Sequence, residues 1–126
     1  MQSTRELLTT VYALFNKRDI EGVLALMRPN VDWPNGMEGG RVHGYEEVRA
    51  YWTRQWRMID PYVEPVRIED DEAGNTVVDV HQMVRDLSGN VLKDMFVQHV
   101  YSFRDGLIER MDIQKPDDAP ARRSSD

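Results

Sequence analysis

The chain contains no cysteine, which removes disulfides, thiolate metal sites and a cysteine nucleophile together. That absence suits a reducing compartment, and the cytoplasm is the expected location. Long hydrophobic runs are missing too. No segment reaches membrane-spanning length, and the opening MQSTRELL lacks the apolar stretch of a secretory signal. Positive charge is in deficit: 16 Lys and Arg stand against 22 Asp and Glu, a net charge of −6, with a pI of about 5.0. No basic stripe with interleaved aromatics offsets this, so neither nucleic acid nor membrane is expected as a partner. His43, His81 and His99 lack the tight spacing of a metal site, and Asp32 with His43 is only a faint suggestion of one. The glycine-bearing stretch DWPNGMEGG lacks the strand–loop–helix context and spacing of a phosphate-binding loop. No metal and no cofactor are expected.

What is present is the balance of an ordinary globular domain. Of 126 residues, 40% are apolar and 30% charged, enough for one domain with a real core. No internal repeat is found. The domain is expected over residues 1–115. The tail 116–126, PDDAPARRSSD, is expected to be disordered.

Leu7, Leu8, Val11, Leu14 and Phe15 recur at helical spacing, so residues 3–17 read as an amphipathic helix with Ser3 or Thr4 as N-cap. Asp19 caps a second short helix, with Val23, Leu24 and Met27 inward, ending before Pro29. Val31–Trp33 is a short strand stopped by Pro34 and the Asn35-Gly36 turn, and a loop runs on to Gly44. A third helix is expected over 45–59, with Val48, Tyr51, Trp52, Gln55 and Ile59 on one stripe and Pro61 as its stop. Strands follow at Val63–Glu69, Val77–Asp86, Val91–Phe103 and Leu107–Gln114, separated by turns at Ala73-Gly74-Asn75, Ser88-Gly89 and Asp105-Gly106. Helices first and antiparallel strands afterwards indicate an α+β fold, about three helices against one face of a curved sheet.

Hairpin arithmetic assigns the faces. A two-residue turn at Asp105-Gly106 pairs Arg104 with Leu107, Phe103 with Ile108, Tyr101 with Arg110 and His99 with Asp112. The Ser88-Gly89 turn gives partners whose numbers sum to 177: Val84 with Lys93, Gln82 with Met95, Val80 with Val97, and Val78 with His99. One face then carries Val78, Val80, Gln82 and Val84 beside Met95, Val97, His99, Tyr101 and Phe103, and is apolar apart from Gln82, His99 and Lys93. It is taken as the inner face. An odd loop length in either hairpin reverses the assignment. The opposite face, with Asp79, His81, Met83 and Arg85 beside Phe96, Gln98, Val100 and Ser102, suits a wet surface or a sheet-to-sheet contact.

Three stretches carry a resemblance. NKRDIEGVLALMRPNVDW looks like an opening of short helix and strand, VHGYEEVRAYW like a glycine-led helix start, and HVYSFRDGLIERMDI like a closing hairpin. In that order the chain resembles the SnoaL-like branch of the nuclear transport factor 2-like superfamily over about residues 3–115. The resemblance implies a cone-shaped α+β barrel around one pocket for a small hydrophobic or cyclic molecule, and a homodimer. SnoaL-like polyketide cyclases place an acid/base aspartate on the last strand and a histidine on the strand beside it, the places of Asp112 and His99. Ketosteroid isomerases use other positions. Aligned on RDIEGVLALM, these fall at Trp33 for the base, Val11 for the helix-one tyrosine and His99 for the third-strand acid. All three differ, so the resemblance does not imply that machinery.

His99 with Asp112 is therefore the candidate catalytic pair, a carboxylate fixing the imidazole tautomer and raising its basicity. The alternative is a buried pair satisfying itself. Tyr101 and Arg110 share the expected inner face and are candidates to neutralise an oxyanion, although Arg110 could instead bind Asp112. Gln82, an amide among valines, is a candidate for fixing a ligand carbonyl or a backbone group. Trp33, Trp56 and Tyr12 are candidate substrate-binding walls for a flat molecule. Three functions follow: a cofactor-free acid/base cyclase, isomerase or hydrolase; a non-catalytic binder of a small hydrophobic ligand; or a dimeric scaffold domain.

Overall fold

A computed structural model describes residues 3–114; the tail 116–126 lies outside the described residues. Helix α1 (Thr4–Asn16) starts where Ser3 and Glu6 cap one another, the Ser3 hydroxyl accepting from the Glu6 N–H at 3.1 Å and the Glu6 carboxylate from the Ser3 N–H at 3.0 Å. Helix α2 (Ile20–Leu24) is capped by the Asp19 carboxylate on the Gly22 N–H. A Cβ on Gly22 would stand 2.6 Å from that carboxylate, so the Asp19 side chain would have to shift to admit one.

Strand β1 (Met27–Pro34) begins sooner than expected, taking Met27 out of the second helix and including Pro29. Pro29 falls in the irregular stretch of the β1 pairing between Met27 and Asp32, where a missing N–H is tolerated. The expected loop contains a short strand, β2 (Arg41–His43), and α3 (Gly44–Gln55) follows. Strand β3 (Ile59–Asp70) is the larger correction, because Ile59 and Pro61 belong to it and not to the end of a helix. It is the sheet edge, in the order β2-β1-β6-β5-β4-β3. The Val63 N–H and C=O both leave the edge to the Asn16 amide, at 3.0 and 2.7 Å. Two residues earlier the Pro61 nitrogen points the same way, so its missing donor costs no ladder bond.

Strands β4 (Thr76–Asp86), β5 (Val91–Arg104) and β6 (Leu107–Gln114) stand where the sequence puts them. Neighbours among β3 to β6 are antiparallel, while β1 joins β6 in parallel, so the curved six-stranded sheet is mixed. The β4–β5 register is the expected one from Val78 with His99 to Val84 with Lys93. The last hairpin turns at Asp105 (φ 54°) and Gly106 (φ 80°), two left-handed residues that match the strand twist. The concave face and the three helices bury Leu8, Val11, Val23, Val48, Trp52, Val80 and Ile108. The architecture is the expected α+β cone.

The Asn16 amide makes two strand-like bonds to Val63 on an otherwise open edge. Asn16→Ala removes both bonds, and urea unfolding is expected to show a loss of about 2 kcal/mol with little change in m-value.

Candidate functional site

Between the helices and the concave face lies a cavity of about 330 Å³, within the range that holds a small organic ligand. Its walls are largely apolar, with six aromatic residues among them. Trp33, on β1, meets Trp52 edge-on with ring centres 5.6 Å apart and Tyr101 at 6.2 Å. Phe15, Tyr12 and Tyr51 complete the ring of aromatics, and Met37 closes one side from the loop after β1.

Three polar groups meet in this apolar wall. The Tyr101 hydroxyl donates to the Tyr12 oxygen at 2.8 Å, and Tyr12 Oη lies 2.6 Å from His99 Nδ1. With Tyr101 donating to Tyr12, the Tyr12 proton is free to go to Nδ1, so the neutral ring carries its own proton on Nε2. Burial alone lowers the His99 pKa to about 4. Burial likewise pushes both phenols above their ordinary value, with the Tyr12–Tyr101 contact adding to the rise at Tyr12. At neutral pH the cluster is uncharged, an imidazole and two phenols in a chain.

The expected partner of His99 is elsewhere. Phe103 pairs with Ile108, but Ser102 pairs with Arg110, Tyr101 with Met111, Val100 with Asp112 and His99 with Ile113. Glu109 is an extra residue on β6. Beyond this bulge every β6 side chain changes face, so Asp112 and Arg110 leave the inner surface and Met111 and Ile113 enter the cavity wall. The His99–Asp112 pairing and the inner-face position of Arg110 are corrected accordingly. Outside, Arg110 grips Asp112 through two bonds, at 2.9 and 3.0 Å, and reaches Asp32 at 2.7 Å. Arg41 joins the same cluster, bonded to Asp32 and, at 3.0 Å, to Asp112. The Arg110 guanidinium therefore holds the Asp112 carboxyl below its ordinary range. This is a self-neutralised surface network, with no carboxylate left to raise the basicity of His99.

The other expected residues divide. Trp33, Tyr12, Tyr101 and Gln82 line the cavity, whereas Trp56 does not. Trp56 stacks behind Trp52 at 5.9 Å and Phe15 at 5.1 Å, under the Arg18 guanidinium, and its Nε1 is buried without a partner. The helix-one tyrosine that meets the third-strand residue is Tyr12, one position beyond the place the alignment gave. Gln55 was placed on the α3 stripe but not in the site. Its amide nitrogen bonds the Tyr51 hydroxyl at 3.1 Å, and its buried Oε1 has no partner. Lys93, noted only as the polar end of the inner face, reaches the cavity mouth with Leu92. The flip at Glu109 has a sequence signal: Ile108, Met111 and Ile113 break strict alternation with two consecutive polar residues.

With this geometry in hand, comparison with known proteins gives three findings. The family model described as SnoaL-like domain matches residues 8–111. Among solved structures, TerC, co-crystallised with polyporic acid, is 27% identical with a TM-score of 0.76, over 89% of this chain and 90% of that one. An NTF2-like protein of unknown function from Burkholderia pseudomallei is 26% identical with a TM-score of 0.78, over 97% of each chain. The epoxide hydrolase/cyclase-like enzyme SalBIII shares the fold at 14% identity and a TM-score of 0.71, over 87% of this chain and 88% of that one. No curated protein matches.

Because the folded pKa of His99 lies below its unfolded value, the folded state binds fewer protons as pH falls from about 6.5 to about 4. Stability is then lost through that window and levels off below it. At about 1.4 kcal/mol per unit, the loss is up to about 3 kcal/mol. Chemical unfolding at pH 7 and pH 4.5 is expected to show a drop in wild type that His99→Gln lacks in this part.

Proposed function

The chain belongs to the SnoaL-like domain family, and on that premise we propose that it is a cyclase-like enzyme for a small, flat, largely apolar molecule, with His99 as the group facing the reacting oxygen. The observation that carries this is the Tyr101–Tyr12–His99 hydrogen-bond chain in the wall of an aromatic cavity. A base with a pKa of about 4 is poorly matched to neutral pH. Its value lies in donation: a neutral imidazole presents Nε2–H without the cost of a buried charge. A carbonyl or epoxide oxygen placed there is polarised, and an enol carbon or hydroxyl of the same substrate attacks the activated carbon. Negative charge gathers on the oxygen facing Nε2–H, and the nucleophile's proton passes to that oxygen. The net change is an isomerisation that closes a ring. The aromatic walls hold the substrate folded, so much of the rate comes from orientation. The epoxide hydrolase/cyclase-like character of SalBIII and the co-crystallisation of TerC with polyporic acid support this reading.

A second reading rests on one observation: no carboxylate lines the cavity among the described residues. A pocket without a strong base also suits a binding protein, in which His99 and Gln82 anchor a ligand that leaves unchanged. The expected homodimer is carried here on the outer sheet face. There Phe96 is 56% exposed, stacked on His81, which bonds Asp94 at 2.6 Å, while Tyr62 on the edge strand is 48% exposed. Apolar rings beside a hydrogen-bonded histidine and carboxylate suit a self-complementary contact. No helix among the described residues is long and apolar enough to cross a membrane.

Two measurements test these readings. Polyporic acid and a panel of cyclic ketones, epoxides and aromatic polyketides are offered to wild type, His99→Gln and Tyr12→Phe, with thermal shift and product analysis in parallel. The enzyme reading expects turnover on one class, falling about 100-fold or more in His99→Gln and less in Tyr12→Phe, with binding largely kept. Binding without turnover in every form would replace it by the second reading. Sedimentation velocity is expected to give a dimer for wild type and a monomer for Phe96→Asp; a wild-type monomer refutes the dimer.

A further inference from the structure

Of the described residues that line the cavity, only Lys93 carries a formal charge at neutral pH, in a protein whose net charge is −6. His99 is neutral there, and the remaining polar lining groups, including Gln55, Gln82 and Tyr51, are uncharged. The carboxylates around Lys93 are engaged elsewhere. Asp94, its chain neighbour, turns to the outer face and bonds His81. Asp86 is occupied by its own turn, accepting from Ser88 and Asn90, and Asp60 is paired with Arg18. Among the described residues, no ion pair to Lys93 is present. The cation is therefore without a direct ion-pair partner, exposed, and set at the wet end of an apolar cavity.

Position adds a length. Lys93 and His99 lie on one face of β5, six residues apart, which at about 3.3 Å per residue is roughly 20 Å between their Cα atoms. The lysine and imidazole side chains shorten the gap that a ligand has to span. Gln82, paired with Met95, stands between them on the same face. A charge carried into the apolar depth would pay an uncompensated desolvation cost, whereas at the mouth it keeps water and meets Lys93.

Resting on the reading of this cavity as a ligand site, we propose that it selects an elongated flat monoanion, held with its uncharged carbonyl or hydroxyl end at His99 and its carboxylate, or an equally acidic enol, at Lys93. The protein's overall negative field disfavours anions, so the mouth cation is what admits one. Specificity between charged and neutral forms of one skeleton then sits on a single residue.

The test uses two probes of one shape, the carboxylate and the carboxamide of hydroxybiphenyl, titrated calorimetrically into the full chain at neutral pH and low ionic strength. Native protein is expected to bind the carboxylate about threefold to tenfold tighter, as an exposed charge-assisted contact allows. Added salt should erode that preference, Lys93→Met should abolish it, and Lys93→Glu should reverse it. The salt series on native protein keeps the test open even where a variant misfolds. Equal affinities in native protein, or a preference that survives Lys93→Met, overturn the anion proposal and leave the pocket intact. Failure of both probes to bind, with no change in tryptophan fluorescence, overturns the pocket reading along with it.

Discussion

One additional residue on the last strand decides what this cone holds. The bulge at Glu109 moves β6 by one position against β5, and because side chains alternate faces, everything after it is exchanged between inside and outside. In the unbulged register Arg110 and Asp112 would project into an apolar cavity, at a large desolvation cost, while Met111 and Ile113 would face water. The bulge resolves both. It also lets Arg110 lie against Asp32 on β1, so that Asp32, Arg41, Arg110 and Asp112 bind the parallel and antiparallel parts of the sheet together from outside. The cavity wall is left without a carboxylate among the described residues.

That absence sets the chemistry of His99. A histidine beside a carboxylate is a base; one beside two phenols, in a cavity that burial makes hostile to charge, is a neutral hydrogen-bonding group. Its ring is hydrogen-bonded to Tyr12, which is itself bonded to Tyr101. The arrangement suits stabilising charge that develops on a ligand far better than removing a proton from a resting one. The polar features of the lining are ordered along its length: the His99 chain in the wall, Gln82 between, and Lys93 at the mouth. A ligand matched to them would carry a polar group at each end and a third opposite Gln82.

Much of this was legible in the residues. The helical stripe of α1, its Ser3 cap, the Asp105-Gly106 hairpin and the Val78-to-Val84 face all follow from short-range rules, and each holds. The misreadings share a cause. Pro61 reads as a helix stop because proline usually is one, yet on an edge strand its missing N–H faces outward and costs nothing. His99 and Asp112 read as neighbours because the count from the turn assumed no bulge. Tyr12 was chosen as an aromatic wall, while its hydroxyl contact to His99 joins residues 87 positions apart, beyond the reach of any local pattern.

The sequence by itself determined the class of protein: an acidic, cysteine-free α+β domain with helices before a strand meander, whose periodicities mark which stripes and faces are apolar. Those are local properties, carried by spacing, capping and turn chemistry. The tertiary structure alone decided which polar groups meet. Bulge placement, strand order and the approach of α1 to β5 depend on how the whole chain balances buried charge against paired backbone. That global sum put Tyr12 on His99 and sent Asp112 outside.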